Sequence, residues 1–310
     1  MSKKKVLVTG SGGLVGSAIQ TLAKEYPQYE FVGTTHQECD LTIEKEVAAL
    51  FDDVKPDYVI HTAARVGGIG RNLNSAPLQY YSNILMNAHV IYHANRVKVS
   101  KLLAFSSVCA FPAKAKLLYE GLLHDGPPFP AHGAYAYAKR MVDVQIQAYR
   151  EKDGANYCSV IPGNIFGECD NFDLEDGHVV PSLIHRCHNA KRLNVPFEVW
   201  GTGKAKREFL YAEDVGRACI ELLGKEVLPP RIIVSSPHEI RIKDMVEKIA
   251  AIFDYNNIEW LTDKPDGQLS RPTNKILFNS VLPSFKFTSI DEALEKTIKW
   301  FVDNYPAVRR

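Results

Sequence analysis

Tyr135 and Lys139 stand four residues apart in the run Ala134-Tyr135-Ala136-Tyr137-Ala138-Lys139. On a helix that spacing puts both side chains on one face. A phenol and an ammonium so placed suit one reaction. The tyrosine gives a proton to a carbonyl oxygen while hydride reaches its carbon. The lysine would lower the phenol's pKa and hold the ribose of a nicotinamide cofactor. Ser107, at the end of an apolar run, would orient the same oxygen. Tyr-x-x-x-Lys alone is common by chance, and Tyr137 is set elsewhere on the helix, so the pair draws its weight from what lies upstream.

Upstream, Gly10, Gly13 and Gly16 form G-x-x-G-x-x-G between the apolar run Val6–Thr9 and the helically spaced Leu14, Val15, Ala18, Ile19 and Leu22. Glycine permits positive φ and lets backbone N–H groups approach a pyrophosphate, and the helix N-terminus favours its charge. The expected cofactor contacts are Gly10, Ser11, Gly13, Leu14, Val15 and Gly16 in the turn. Asp40, Leu41, Ala63, Ala64 and Ser106 at later strand ends join them, with Tyr135 and Lys139. NAD-specific enzymes usually place an acid after the second strand for the ribose 2′-hydroxyl. Thr34, Thr35 and His36 stand there instead. A 2′-phosphate would meet no repulsion, so NADP(H) is the expected cofactor, with His36 and Ser11 as contacts. An exposed loop histidine is the alternative for His36.

These residues need a sheet to position them. Strands are predicted at Val6–Thr9, Glu30–Thr34, Asp57–Ala63, Lys101–Ser106 and Tyr157–Ile161, and helices over 82–97 and Ala134–Glu151. Such alternation gives an α/β fold with a doubly wound parallel sheet, which presents ligands at the carboxyl ends of its strands. After Pro162 the rhythm breaks into turn-rich stretches, and Ser289–Asn304 reads as a closing amphipathic helix. The expected organisation is a cofactor-binding domain over 1–165 and a smaller, mainly substrate-binding region over 166–310, some segments of which return to the first domain.

Composition narrows the function classes. The 310 residues include 37 basic and 36 acidic side chains, a formal net charge of +1. So even a balance advertises no nucleic-acid surface. Six cysteines, at 39, 109, 158, 169, 187 and 219, form no Cys-x-x-Cys pair, so no metal site or redox motif is indicated. No stretch approaches the roughly 20 apolar residues that span a bilayer. A cytoplasmic location is the expectation.

Further motifs carry a resemblance. They are Val66-Gly67-Gly68-Ile69, Ser107-Val108-Cys109-Ala110-Phe111-Pro112, Tyr135-x-x-x-Lys139 and Asp170-Asn171-Phe172. They continue through His178-Val179-Val180-Pro181, Val199–Gly203, Arg207–Leu210 and Lys264–Gly267. Through them the chain resembles, nearly end to end, the GDP-L-fucose synthases of the extended short-chain dehydrogenase/reductase group. The resemblance implies a Rossmann-type fold and a GDP-bound 4-keto-6-deoxymannose as substrate. Carbons 3 and 5 flank the ketone, so their protons are acidic. Cys109 would be the base and His178 the acid that invert both, before NADPH-dependent reduction at carbon 4. A thiol can serve where a nearby cation or helix end raises its thiolate fraction. The same resemblance marks Asn164, Asn171, Val179, Arg186, Trp200, Arg207, Lys264 and Asp266 as substrate contacts, and implies a homodimer built on the helices 82–97 and 134–151.

The chain departs from the family at Pro162-Gly163-Asn164, usually Pro-Thr-Asn, and at Gly167-Glu168-Cys169-Asp170-Asn171, usually Gly-Pro-His-Asp-Asn. A relative acting on a dideoxy or heptose sugar would keep the same catalytic residues. Other rivals fit less well. A plain reductase needs neither Cys109 nor His178. A 4,6-dehydratase would want an Asp-Glu pair after Ser107, and residues 108–112 hold none. A non-catalytic cofactor-binding protein would not need both Tyr135 and Lys139.

Overall fold

The computed structural model describes residues 3–67, 75–264 and 269–309. Gly68, Ile69, Asp266 and the rest of its loop over 265–268 lie outside the described residues. Chain order runs β1 (Lys4–Thr9), α1 (Leu14–Leu22), β2 (Tyr29–Thr34), α2 (Glu44–Val54), β3 (Tyr58–His61), α3 (Ala76–Arg96), β4 (Lys101–Phe105), α4 (Gly133–Asp153), β5 (Tyr157–Pro162) and β6 (Asn164–Phe166). It continues with α5 (Val179–Leu193), β7 (Phe197–Trp200), β8 (Lys206–Arg207), β9 (Phe209–Tyr211), α6 (Ala212–Leu223), β10 (Arg231–Val234), β11 (Ile240–Arg241), α7 (Ile242–Ile252), β12 (Ile258–Leu261), α8 (Ile276–Val281) and α9 (Ile290–Asn304).

Six strands form one parallel sheet in the order β10-β5-β4-β3-β1-β2. Successive residues of a strand face opposite sides. Accordingly Val6 and Val8 of β1 join Ile19, Leu22, Val215 and Leu222 in a core with α1, α6 and α8. Leu7 joins Phe51, Val90, Ile91, Val142 and Ile146 on the other side, with α2, α3 and α4. Covering both faces is what permits nearly uninterrupted apolar strands. A third core, among Phe172, Val180, Ile184, Phe197, Ile249 and Phe301, binds α5, α7 and α9 to β7.

Two differences from expectation have physical reasons. The helix predicted over 82–97 begins at Ala76, because Pro77 sits in its first turn with φ already set for a helix. β10, from the second half of the chain, pairs with β5 and extends the sheet. Its four residues are too few to show a period. The helix predicted over Ala134–Glu151 runs from Gly133 to Asp153 and is closed by Gly154 at φ 64°. Among the described residues, no helix is long and apolar enough to cross a membrane.

Candidate active site

The carboxyl ends of β1, β2, β3 and β4 open into one cleft of about 2080 Å³ that continues along α5 and β7. Single-ligand pockets commonly measure about 300–1,000 Å³, so this cleft has room for two ligands. β1 lies between β2 and β3, so the chain reverses direction across the sheet there, where open α/β folds take their ligands.

The glycine turn fits a dinucleotide on its own geometry. Gly10 has φ 73°, and a Cβ on it would lie 2.8 Å from the Ala63 backbone. A Cβ on Gly16 would lie 2.2 Å from the Gly10 carbonyl oxygen. The close turn leaves Gly13 as the N-cap of α1 with no side chain over the free N–H groups. Gly10, Gly13, Leu14, Val15, Asp40, Leu41, Ala63, Ala64 and Ser106 border the cleft. Gly16 is buried beneath the turn, and Ser11 is not among the bordering residues. Ser11 packs where Gly33 has no side chain, its Cβ 2.7 Å from the position a Gly33 Cβ would take. His36 stands at the rim with its ring 81% exposed and Nδ1 4.0 Å from Asp40 Oδ1. The sequence contains an acid close by, Glu38, which is not among the residues that border the cleft. Its Oε2 accepts from Thr35 N at 2.7 Å and Thr35 Oγ1 at 2.8 Å, bonds that lower its pKa.

Ser107, Cys109, Tyr135, Lys139 and His178 all border the same cleft. Ser107 lies two residues past β4 as the N-cap of a short 3₁₀ turn, and its Oγ accepts from Cys109 N at 3.1 Å. Ser107 also lowers the pKa of both Cys109 and Tyr135 through side-chain hydrogen bonds, which places serine, thiol and phenol together. Burial pushes the Cys109 thiol up, while Ser107 and the Arg271 guanidinium pull it down. Burial, then the Cys109 charge, pushes Tyr135 well above the ordinary tyrosine range. Lys139 is 1% exposed, donates to the Phe105 carbonyl at 2.8 Å, and is lowered to about 7 by burial. The expected lowering of the phenol's pKa by Lys139 is therefore not found. Burial disfavours both charged forms, and the phenol keeps its proton.

His178 is the N-cap of α5, reaching the cleft from the second half of the chain. Burial lowers its pKa, and Arg309 and His132 lower it further. Asp170, 2% exposed, also borders the cleft, and burial raises its carboxyl to about 7. Its Oδ1 accepts from Asn171 N at 2.7 Å. Oδ2 is buried without a partner among the described residues. His132, Asp170, Arg271 and Arg309 were not singled out as site residues by sequence. They come from four separate segments, and no local spacing joins them.

Among the expected substrate contacts, Asn164, Val179, Arg186, Trp200 and Arg207 border the cleft. The Arg186 guanidinium lies 5.7 Å from the Trp200 ring centre and donates to the Leu174 carbonyl at 2.7 Å. Arg207 is lowered by burial and by Arg271, as expected where cations are gathered. Asn171 is not on the cleft border; its Oδ1 accepts from Asp173 N at 3.2 Å and shapes the turn. Lys264 is exposed and 3.5 Å from Asp263, also off the border. Asp266 lies outside the described residues. Among those residues, no group of three or more His, Cys, Asp or Glu side chains could hold a metal ion.

Comparison with known proteins agrees with this geometry. Residues 6–234 match the NAD dependent epimerase/dehydratase family. The GDP-L-fucose synthase of Dictyostelium discoideum is 36% identical over 315 residues, covering 100% of this chain and 98% of that protein. That of Escherichia coli K12 is 32% identical over 322 residues and covers both chains fully, 100% and 100%. The crystal structure of a GDP-L-fucose synthetase from Naegleria fowleri bound to NADP superposes with a TM-score of 0.92, at 33% identity, covering 100% of this chain and 96% of that one. This chain belongs to the GDP-L-fucose synthase family, within the wider NAD dependent epimerase/dehydratase family.

Proposed function

We propose that the chain converts GDP-4-keto-6-deoxy-D-mannose to GDP-L-fucose, inverting carbons 3 and 5 and then reducing carbon 4. One arrangement carries this: Ser107, Cys109, Tyr135 and Lys139 from the sheet side and His178 from α5 border a single cleft with Arg186 and Arg207. The glycine turn and the strand ends beside it would hold NADP(H), which supplies the hydride for carbon 4.

The residues divide the work by chemistry. Tyr135, with its proton held by burial, donates a hydrogen bond to the sugar ketone and so acidifies the protons at carbons 3 and 5. Ser107 orients that oxygen. The Cys109 thiolate takes a proton from the ring carbon, and His178 returns one to the opposite face. With each centre inverted, Tyr135 gives its proton to the carbonyl oxygen as carbon 4 is reduced. Lys139 supports Tyr135 from the Phe105 carbonyl and would hold the cofactor ribose. Arg186 and Arg207 suit the diphosphate, because planar guanidinium groups bond phosphate oxygens in pairs.

A cofactor half over 1–165 and a sugar half over 166–310 are part of the assignment, with α6, β10 and α8 returning to the sheet. So is a homodimer through α3 and α4, where Tyr81, Tyr92, Met141 and Val144 are exposed, and a cytoplasmic setting. Incubation with GDP-4-keto-6-deoxymannose and NADPH, followed by identification of the sugar, tests the activity. GDP-L-fucose is expected, and no oxidation of NADPH would defeat the assignment. In deuterated water, Cys109→Ser should stop label entering carbons 3 and 5 while reduction persists. Equal loss of both would remove Cys109 from the base role.

A further inference from the structure

Cys109 needs a cation if it is to be a base, because burial alone pushes its thiol up. We propose that Arg271 is a positioning residue for the inversions, anchored behind the Cys109 turn so that its guanidinium stabilises the thiolate. This deepens the function proposed above and rests on Cys109 being the base.

The anchoring is specific. Arg271 Nη2 donates to the Pro112 carbonyl at 3.2 Å, three residues past Cys109. Arg140 Nε holds the Ala110 carbonyl of the same turn at 2.6 Å. The segment after Arg271 is fixed at both edges. Leu118 N donates to the Pro272 carbonyl at 2.9 Å, and Asn274 N to the Leu118 carbonyl at 2.7 Å. On its other side the buried Glu208 carboxylate accepts from Thr273 N at 3.1 Å, Thr273 Oγ1 at 2.8 Å and Ser235 Oγ at 2.7 Å, and pairs with Lys275. The segment that carries Arg271 is thus held on both sides, and its guanidinium is bonded to the Pro112 carbonyl.

The groups that face Cys109 are few. Ser107 bonds it from its own turn, and the charges of the Tyr135 phenol on α4 and of Arg271 in the segment after β12 act on it. Arg271 in turn faces His132 and Arg207. Lys139 is a poor cation near neutral pH, since burial lowers it to about 7. Arginine keeps its charge and cannot compete for the sugar proton. Its Nε is buried without a partner among the described residues. An unpaired donor at that point fits a guanidinium held for charge as well as for bonding.

The test is the pH profile of iodoacetamide alkylation at Cys109, resolved by peptide mass spectrometry in the full-length protein. Arg271→Gln and Arg271→Met should move the midpoint up by about one unit or more. Arg271→Lys should stay near the wild type. Deuterium entry at carbon 3 at pH 7 should slow about tenfold in the neutral variants and recover at higher pH. Folding is checked by circular dichroism, and the two neutral variants stand in for each other if one fails. Superimposed midpoints, or a lysine variant displaced as far as glutamine, would overturn the role. Alkylation reads the thiol whether or not it is the base, so failure here is distinct from failure of Cys109→Ser in the exchange assay.

Discussion

The Lys139 ammonium lies 5.9 Å from the centre of the Tyr135 ring and spends a hydrogen bond of 2.8 Å on the Phe105 carbonyl. The pair is thus a donor phenol backed by a tethered lysine, both buried. Charge on Lys139 is costly there, and the folded protein holds it only below about pH 7.

Lys139→Met should therefore act on stability and catalysis in opposite directions. Unfolded lysine keeps its proton to about 10.5. Between about 7 and that value the unfolded chain binds more protons, so the wild type gains stability as pH rises. The variant should melt higher than the wild type at pH 6.5, and the gap should close toward pH 10. Reduction should meanwhile fall by about 10²-fold or more. Thermal melts across pH, paired with NADPH oxidation, check both. A gap that does not change with pH would mean the buried ammonium is not strained.

Asp170 gives the mirror case. Burial raises its folded pKa to about 7, against 3.8 in the absence of burial. In that window the folded state binds the extra proton, so stability is lost as pH rises through it. Asp170→Asn keeps an acceptor for Asn171 N and removes the charge. The variant should melt roughly 4 °C or more above the wild type at pH 8. The difference should shrink toward zero near pH 4. A constant difference would show that the carboxyl is ionised at neutral pH without penalty.

What was legible in the sequence was local. Gly10, Gly13 and Gly16 fall within seven residues between a strand and a helix, and Tyr135 and Lys139 are one helical turn apart. Patterns that short survive without knowledge of tertiary contacts. The start of α3 is not legible because its first turn, Ala76 to Gln79, lacks a clear apolar stripe. Arg271 could not be connected to Cys109, because only the pairing of Leu118 with the segment around Thr273 brings them together. His178 and Cys109 were linked by family resemblance, not by spacing. The sequence shows a lysine near Tyr135 but not that both groups are buried, and burial is what raises the phenol's pKa.

Glu208 supplies a structural prediction of the same non-local kind. It is 4% exposed and takes bonds from Ser235, Thr273 and Lys275, while its own carbonyl accepts from Asn164 N at 3.3 Å. Glu208→Ala strands the Ser235, Thr273 and Lys275 donors, and breaking a buried pair costs about 3 kcal/mol. It should also loosen the two neighbours that border the cleft, Arg207 and Asn164. KM for the GDP-sugar should rise while affinity for NADPH, assigned to the glycine turn at the other end of the cleft, holds. Denaturant melts and separate titrations of the two ligands measure this. Equal weakening of both ligands would point to a general loss of fold.

His36 decides whether the rim after β2 selects the cofactor. Its exposed ring stands beside Asp40, and the one carboxylate close to it in sequence before Asp40, Glu38, is held by both bonds to Thr35. The acid that the rim does present, Asp40, lies four residues on with its Oδ1 bonded to Thr42, so position 36 itself carries none where a ribose 2′-hydroxyl would look for one. His36→Asp introduces that acid without crowding, since the position is open to solvent. It should repel a 2′-phosphate and accept a hydrogen bond from a plain 2′-hydroxyl. The ratio of kcat/KM for NADPH over NADH should fall about tenfold, equivalent to 1.4 kcal/mol of changed preference. High salt should shrink the effect, because the charges at this rim are screened. The comparison of both cofactors at two ionic strengths measures it. An unchanged ratio would leave His36 as an exposed loop residue and move the source of cofactor preference elsewhere in the turn.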